Sequence, residues 1–208
     1  MFVLHRPSRD AIDRFIDGSK RLPLSYSPVG LANGCGAARA ARIQDQIQDP
    51  ILDRSRIDEA IAAIGRGRDD FERARSALAA WKQFDIGWVE LFPHGASVDV
   101  GTDVAVLIRH FGFWSLNGCR VVYLVSAEAD ARFGVAYGTL TNHAEAGEEL
   151  FEVFLDPQTG DVMYHIRAIS RPRAALARLG HPLARLLQAR FRADSAAAMR
   201  RAMRGSAG

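Results

Sequence analysis

The chain has 208 residues, 48% of them hydrophobic and 25% charged, which excludes disorder as the default and suits one sizeable core. No run approaches the roughly 18–20 apolar residues of a membrane span, and Met1–Asp10 carries Arg6, Arg9 and Asp10 in place of an apolar signal core, so the sequence predicts a cytoplasmic protein. The net charge of +3 is unevenly spread: residues 167–208 hold ten arginines against the single Asp194, which leaves −6 on the rest.

The first predicted element is a helix capped by Ser8, with Ile12, Phe15 and Ile16 on one face and an end near Gly18. This makes residues 1–20 a helical extension of a single domain spanning 1–208. A first strand is expected over Leu24–Gly30, followed by a glycine-rich loop to Gly36. Asp49-Pro50 precedes a helical region, in which Gly65-Arg66-Gly67 reads as a hinge between two helical pieces. Phe71, Ala74, Leu78 and Trp81 then recur at helical spacing, which predicts one helix with one buried stripe.

After Phe84 the period changes to two. Ile86, Trp88, Glu90 and Phe92 start a strand, and Val98, Val100, Val104, Val106 and Ile108 predict a long one with a buried valine face. Cys119–Val125, Phe133–Leu140, Leu150–Leu155 and Val162–Ile169 follow, the last two joined through Asp156-Pro157-Gln158-Thr159-Gly160-Asp161. Connectors this short leave no room for crossover helices, so the sheet is predicted antiparallel. A closing helix is expected to start at Pro172, with Ser170 as its cap and a break at Gly180-His181-Pro182. Leu176, Leu179, Leu183, Leu186 and Leu187 share one arc, and Arg178, Arg185 and Arg192 form a solvated ridge opposite. The fold class is therefore α+β: a curved antiparallel sheet gripped by a long C-terminal helix, the element order of the START-like, helix-grip superfamily typified by the major birch pollen allergen.

The stretch Phe133-Gly-Val-Ala-Tyr-Gly-Thr-Leu-Thr-Asn-His143-Ala-Glu145-Ala-Gly-Glu148-Glu149-Leu-Phe151 resembles the central signature of the family described as domain of unknown function nineteen-ninety. Gly65-Arg66-Gly67, Gly112–Trp114, Cys119–Tyr123, Ser170-Arg171-Pro172 and Leu176–Gly180 resemble its other blocks in order, from about Tyr26 to Met203. The resemblance implies a START-like fold and no established activity.

Tyr137, Thr139, His143, Glu145, Glu148 and Glu149 form the densest polar cluster. A histidine near carboxylates suits a general base with an orienting partner, so His143, Glu148, Glu149 and Tyr137 are candidate catalytic residues. The bland alternative is a turn shaped by Gly138 and Gly147, with solvated or capping acids. The spacing matches no metal motif, and Cys35 and Cys119, far apart and outside any CxxC pair, read as small buried hydrophobes; neither metal nor cofactor is expected. His165 and Arg167 share one face of the last strand, with Glu149 or Glu152 as cross-hairpin partners, and Gln188 and Arg190 fall on or near the leucine arc. Together with Tyr137 and Thr139 these are the candidate ligand-binding residues. The expected partner is a small apolar or amphipathic molecule held between sheet and helix. The alternatives are an enzyme of hydrolase, cyclase or lyase type, and an interaction protein using the arginine ridge. Nucleic acid is disfavoured, because the acidic remainder of the chain repels a polyanion and the strands carry Asp and Glu where a stacking platform needs basic residues.

Overall fold

The computed structural model describes residues 1–33, 56–127, 131–172 and 181–205. Its elements are β1 (Phe2–Val3), α1 (Arg9–Ser19), β2 (Arg56–Arg66), α2 (Gly67–Ala79), a 3-10 turn (Lys82–Phe84), β3 (Val89–Phe92), β4 (Asp103–Arg109), β5 (Trp114–Ala127), β6 (Arg132–Thr139), β7 (Glu145–Leu155), β8 (Asp161–Pro172) and α3 (His181–Arg204). The strands form one antiparallel sheet in the order β2-β8-β7-β6-β5-β4-β3, and β1 adds to the start of β5. Bulges between Val121 and Tyr123 and between Ala63 and Gly65 interrupt the ladder registers, a device that bends strands and deepens twist.

Alternation along each strand divides the core between two faces. The concave face presents Val104 and Val106, Cys119 and Val121, Val135 and Tyr137, Phe151 and Val153, and Tyr164 and Ile166 to α2, the 3-10 turn and α3. The convex face buries Ala105, Leu107 and Leu116 beneath Ile12 and Ile16 of α1, while Ala136 and Leu150 meet Ala32. Both faces of β4 are therefore covered.

The opening helix matches its expectation: the Ser8 hydroxyl accepts from the Ala11 N–H at 3.3 Å and Ile12 is fully buried. Cys119, too, is fully buried, whereas Cys35 lies outside the described residues. Leu24–Gly30 does not form a strand. Leu24 makes one bridge to Leu140, after which Pro28, which has no N–H to give a ladder, and Gly30, at φ +99°, turn the chain across the convex face. The first long strand is instead β2, in the stretch read as helical. Alanine and isoleucine suit both periods there, and in the sheet Ile57 and Ile61 face outward while Asp58, Ala60, Ala62 and Ile64 face the core side. Gly65-Arg66-Gly67 is consequently a strand-to-helix junction, where Gly67 takes φ +79° and the Asp70 carboxylate accepts from the Arg66 N–H at 2.7 Å.

Further expectations change. The strand predicted from Val98 begins only at Asp103, because Gly101 (φ +94°) turns the chain and leaves Val100 exposed. Pro172 does not start a helix: it ends β8 opposite Glu145, and Ser170 is a strand residue. The closing helix begins at His181, with Pro182 in its first turn, where a missing N–H costs no hydrogen bond. Leu176, Leu179 and Arg178 lie outside the described residues, as do the side chains of Leu183 and Arg185. Leu186 is 60% exposed while Leu187 lines the space between sheet and helix, and among the described residues the core face of α3 is carried by Phe191, Ala198 and Met199. Arg192 leaves the expected water-facing ridge and pairs with Asp58.

Met199 is completely buried against the concave face. Met199→Ala is expected to cost about 2–5 kcal/mol in urea denaturation, whereas Leu186→Ala should stay within about 0.5 kcal/mol of the parent. Equal losses would mean that the helix docks on another face.

Candidate functional site

In register, Asp58 of β2 lies opposite Ala168 of β8, Ala168 opposite Glu149 of β7, Glu149 opposite Tyr137 of β6, and Tyr137 opposite Val121 of β5. Paired residues share a face, so this row crosses the concave side at one level. Ala168 is the smallest member and stands between two carboxylates. A cavity of about 250 Å³ opens over this row, between the sheet and α3, with Phe84, Trp88, Val106, Ile108 and Phe191 among its apolar lining.

Tyr137 donates to Glu149 Oε2 at 2.6 Å. What remains accessible of Glu149 opens onto the cavity, and this burial is the main reason its pKa rises to about 7. The Tyr137 hydrogen bond and Arg192 oppose the rise, while Glu145 and Asp58 add to it. Burial, then the charge of Glu149, pushes the Tyr137 phenol far upward, so it remains a donor at any physiological pH. Arg192 reaches over the row to Asp58 at 3.5 Å. At one end of the cavity Glu145 accepts from Ser170 and from Gln188, both at 2.9 Å, tying β7, β8 and α3 together.

Of the remaining predicted residues, Thr139 lines the cavity and is engaged locally: its hydroxyl meets Ser25 Oγ at 2.6 Å, receives the Gly147 N–H and donates to the Gly147 carbonyl. His143 also borders the cavity, but its Nδ1 accepts the Glu145 N–H at 2.9 Å within a tight turn. Glu148 and Glu149 direct their carboxylates to opposite faces of the sheet. Glu148, 2% exposed, turns to the convex side, where it accepts from Tyr26 and Tyr123 and from the N–H groups of Gly30 and Ala32, all within 2.9 Å.

His165 and Arg167 also face the convex side. His165 lies between Glu152 Oε1 at 2.7 Å and Glu59 Oε1 at 2.6 Å, and Arg132 holds the other oxygen of Glu152. Burial opposes charge on both partners, yet the hydrogen bonds outweigh it, raising the imidazole pKa and lowering that of Glu152. Arg190 stands outside the cavity, with its guanidinium 4.9 Å from the Trp88 ring centre and 3.3 Å from Asp194. The structure thus brings Tyr137, Thr139, His143, Glu149 and Gln188 to the cavity and takes His165, Arg167 and Arg190 away from it.

Asp58, Arg192, Trp88, Phe191 and the polar side chains of β5 at the cavity wall escape a reading of the sequence. The helical pattern of β2 hides Asp58. Arg192 falls on the solvated ridge when the arc is drawn through the leucines, whereas among the described residues the core face of α3 runs through Phe191, Ala198 and Met199.

The family model described as Domain of unknown function (DUF1990) matches residues 39–198. A UPF0548 protein of Dictyostelium discoideum is 32% identical over 212 residues, covering 98% of this chain and 96% of its own. A UPF0548 protein of Arabidopsis thaliana is 33% identical over 147 residues, 69% of this chain and 71% of that one. Among solved structures, TTHA0849 from Thermus thermophilus aligns with a TM-score of 0.52 at 10% identity, over 74% of this chain and all of that one. That likeness speaks to the fold.

The two neighbouring carboxylates should respond differently to substitution. Glu148→Ala strands four donors, two of them in fully buried hydrogen bonds, and is expected to destabilise the protein by about 3–5 kcal/mol, read by urea denaturation. The Glu149 pKa is raised on folding, so its contribution to stability is present at low pH and is lost as pH climbs from its ordinary 4.5 through about 7. Glu149→Gln should therefore match the parent near pH 4 and exceed it above pH 8 by up to roughly 3 kcal/mol. The raised pKa of His165 is common to both proteins and cancels. A difference that does not change with pH would show that Glu149 is not held in a desolvated site.

Proposed function

The chain belongs to the DUF1990 family, and from its cavity we propose that it binds a small amphipathic molecule between the concave sheet and α3. The observation that carries this reading is one hollow lined mainly by apolar side chains, with a desolvated phenol–carboxylate pair, Tyr137–Glu149, on its wall. Such sites combine a hydrophobic lining with few, fixed polar groups. A volume of about 250 Å³ lies just below the usual range of roughly 300–1,000 Å³, so the ligand is small. Its apolar body rests on Phe84, Trp88 and Phe191, and its polar end meets Glu149 and Arg192, with Tyr137, Thr139 and Gln188 completing the contacts.

One observation favours a catalytic variant of this reading. A half-buried carboxyl group with a pKa of about 7, beside a phenol and opening onto the cavity, is matched to accept or donate a proton at neutral pH. In that variant Glu149 is the acid–base group and Tyr137 steadies its charge; Glu148, closed into the convex network, takes no part. Of the three ridge arginines, Arg192 is turned inward to Asp58, which counts against a ridge reading that uses it.

The test is saturable binding of the neutral fluorophore N-phenyl-1-naphthylamine, beside native mass spectrometry of the purified protein for retained molecules. We expect one site, weakened at least about tenfold by Ala168→Leu, which fills the hollow without removing a hydrogen bond. Unsaturable binding, or binding that Ala168→Leu leaves unchanged, would overturn the cavity reading.

A further inference from the structure

The cavity wall formed by β4 and β5 carries polar side chains that ligand binding at Glu149 does not use. Ser115 and Asn117 are two residues apart on β5 and share the concave face, each 2% exposed, and His110 follows the end of β4 by one residue. All three border the cavity.

The direction of their hydrogen bonds can be worked out from the donors. Asn117 Nδ2 lies 3.4 Å from the Val106 carbonyl, and Asn117 Oδ1 accepts the Ala144 N–H at 3.4 Å. Exchanging the amide's oxygen and nitrogen would oppose two carbonyls and two N–H groups, so the orientation is determined. The same Nδ2 donates to Ser115 Oγ at 3.0 Å. Ser115 therefore receives a hydrogen bond, and the acceptor within reach of its own proton, among the described residues, is His110 Nε2 at 2.7 Å. With that proton donated to Nε2, Nε2 is the bare nitrogen and Nδ1 carries the proton. Burial lowers the His110 pKa, which favours this neutral imidazole at pH 7, and Phe113 stacks on the ring with 4.4 Å between centres and 14° between planes.

We propose that Ser115 and His110 form a nucleophile–base pair facing the cavity, through which the protein cleaves esters of small apolar acyl groups. The proposal rests on the cavity admitting a small amphipathic molecule. A hydroxyl hydrogen-bonded to a neutral imidazole, with a ring holding that imidazole in place, is the arrangement nucleophilic acyl transfer requires. Phe2, Val106, Ile108 and Phe113 supply an apolar surround for the acyl chain. In the first step Oγ bonds to the ester carbonyl carbon while its proton passes to Nε2. The ester C–O bond then breaks, and the imidazolium returns that proton to the departing alkoxide. Water attacks the acyl-serine, giving one proton to Nε2; the carboxylic acid leaves as that proton goes back to Oγ. Asn117 Nδ2, 3.0 Å from Oγ, supplies an N–H beside the carbon on which the oxyanion develops.

The experiment uses p-nitrophenyl acetate for turnover and an alkyl fluorophosphonate for covalent capture, read by intact mass and peptide mapping. We expect one adduct, on Ser115, and p-nitrophenol release that falls at least about 100-fold in Ser115→Ala and in His110→Gln. Ser115→Cys guards against a folding artefact: it should retain the parent's melting temperature and move covalent capture to iodoacetamide at the same position. No adduct on Ser115 in the parent protein, an adduct elsewhere, or equal release by Ser115→Ala would overturn the assignment. N-phenyl-1-naphthylamine binding separates the two readings: if it persists while Ser115 stays unlabelled, the nucleophile fails and the cavity stands, whereas loss of both overturns the cavity as well.

Discussion

Two consecutive carboxylates in one strand cannot face the same way. Glu148 and Glu149 sit in the middle of β7, and the pleat sends the first to the convex side and the second to the concave side. Much of the molecule is arranged around that alternation. Outside, Glu148 gathers the hydroxyls of Tyr26 and Tyr123 and the amides of Gly30 and Ala32, which pins the irregular segment after α1 against the sheet. Inside, Glu149 has one phenol, one guanidinium in range and a hollow. A one-residue slip of β7 would exchange a satisfied carboxylate for a strained one on both faces, so the register is specified by charge as well as by hydrophobic pattern.

The two faces handle buried charge in different ways. On the convex side burial is compensated: Glu152 is met by Arg132 and His165, His165 by a second carboxylate, and hydrogen bonds overcome the loss of water. On the concave side compensation is incomplete, and the Glu149 pKa moves toward neutrality. Structural polar groups are expected to be satisfied, and those that are left partly unsatisfied beside a cavity mark places where a ligand or a proton completes the arrangement.

Much of the architecture can be read from the sequence because period-two alternation is a strong signal in β4–β8, where branched and aromatic residues occupy one face and short turns force antiparallel pairing. β2 escapes because Ile57-Asp-Glu-Ala-Ile-Ala-Ala-Ile64 has residues that suit a helix by propensity and a strand by alternation, and only tertiary context chooses. For the site, the signature stretch leads to Tyr137 and Glu149 through composition alone. It cannot show that Glu148 is a structural clasp, since facing depends on register across three strands. Ser115, His110 and Asn117 form no recognisable run, because their relation comes from a β-hairpin that brings the end of β4 beside the start of β5.

The last helix is joined to both margins of the sheet. Arg192 and Arg200 reach β2 through Asp58 and the Ala63 carbonyl, while Arg201 and Asp194 bond the Asp85 carbonyl and Trp88, just ahead of β3. These partners are separated by more than 100 residues of chain, among the most distant in the fold. During synthesis the sheet emerges before α3, so the part of the concave apolar face that this helix covers stays open until the helix docks. Closure across so long a separation is slow relative to local hairpin formation. The nascent chain therefore passes through an interval in which the wall of its future cavity is an exposed apolar surface, and the arginines that later clamp the sheet arrive only with the helix.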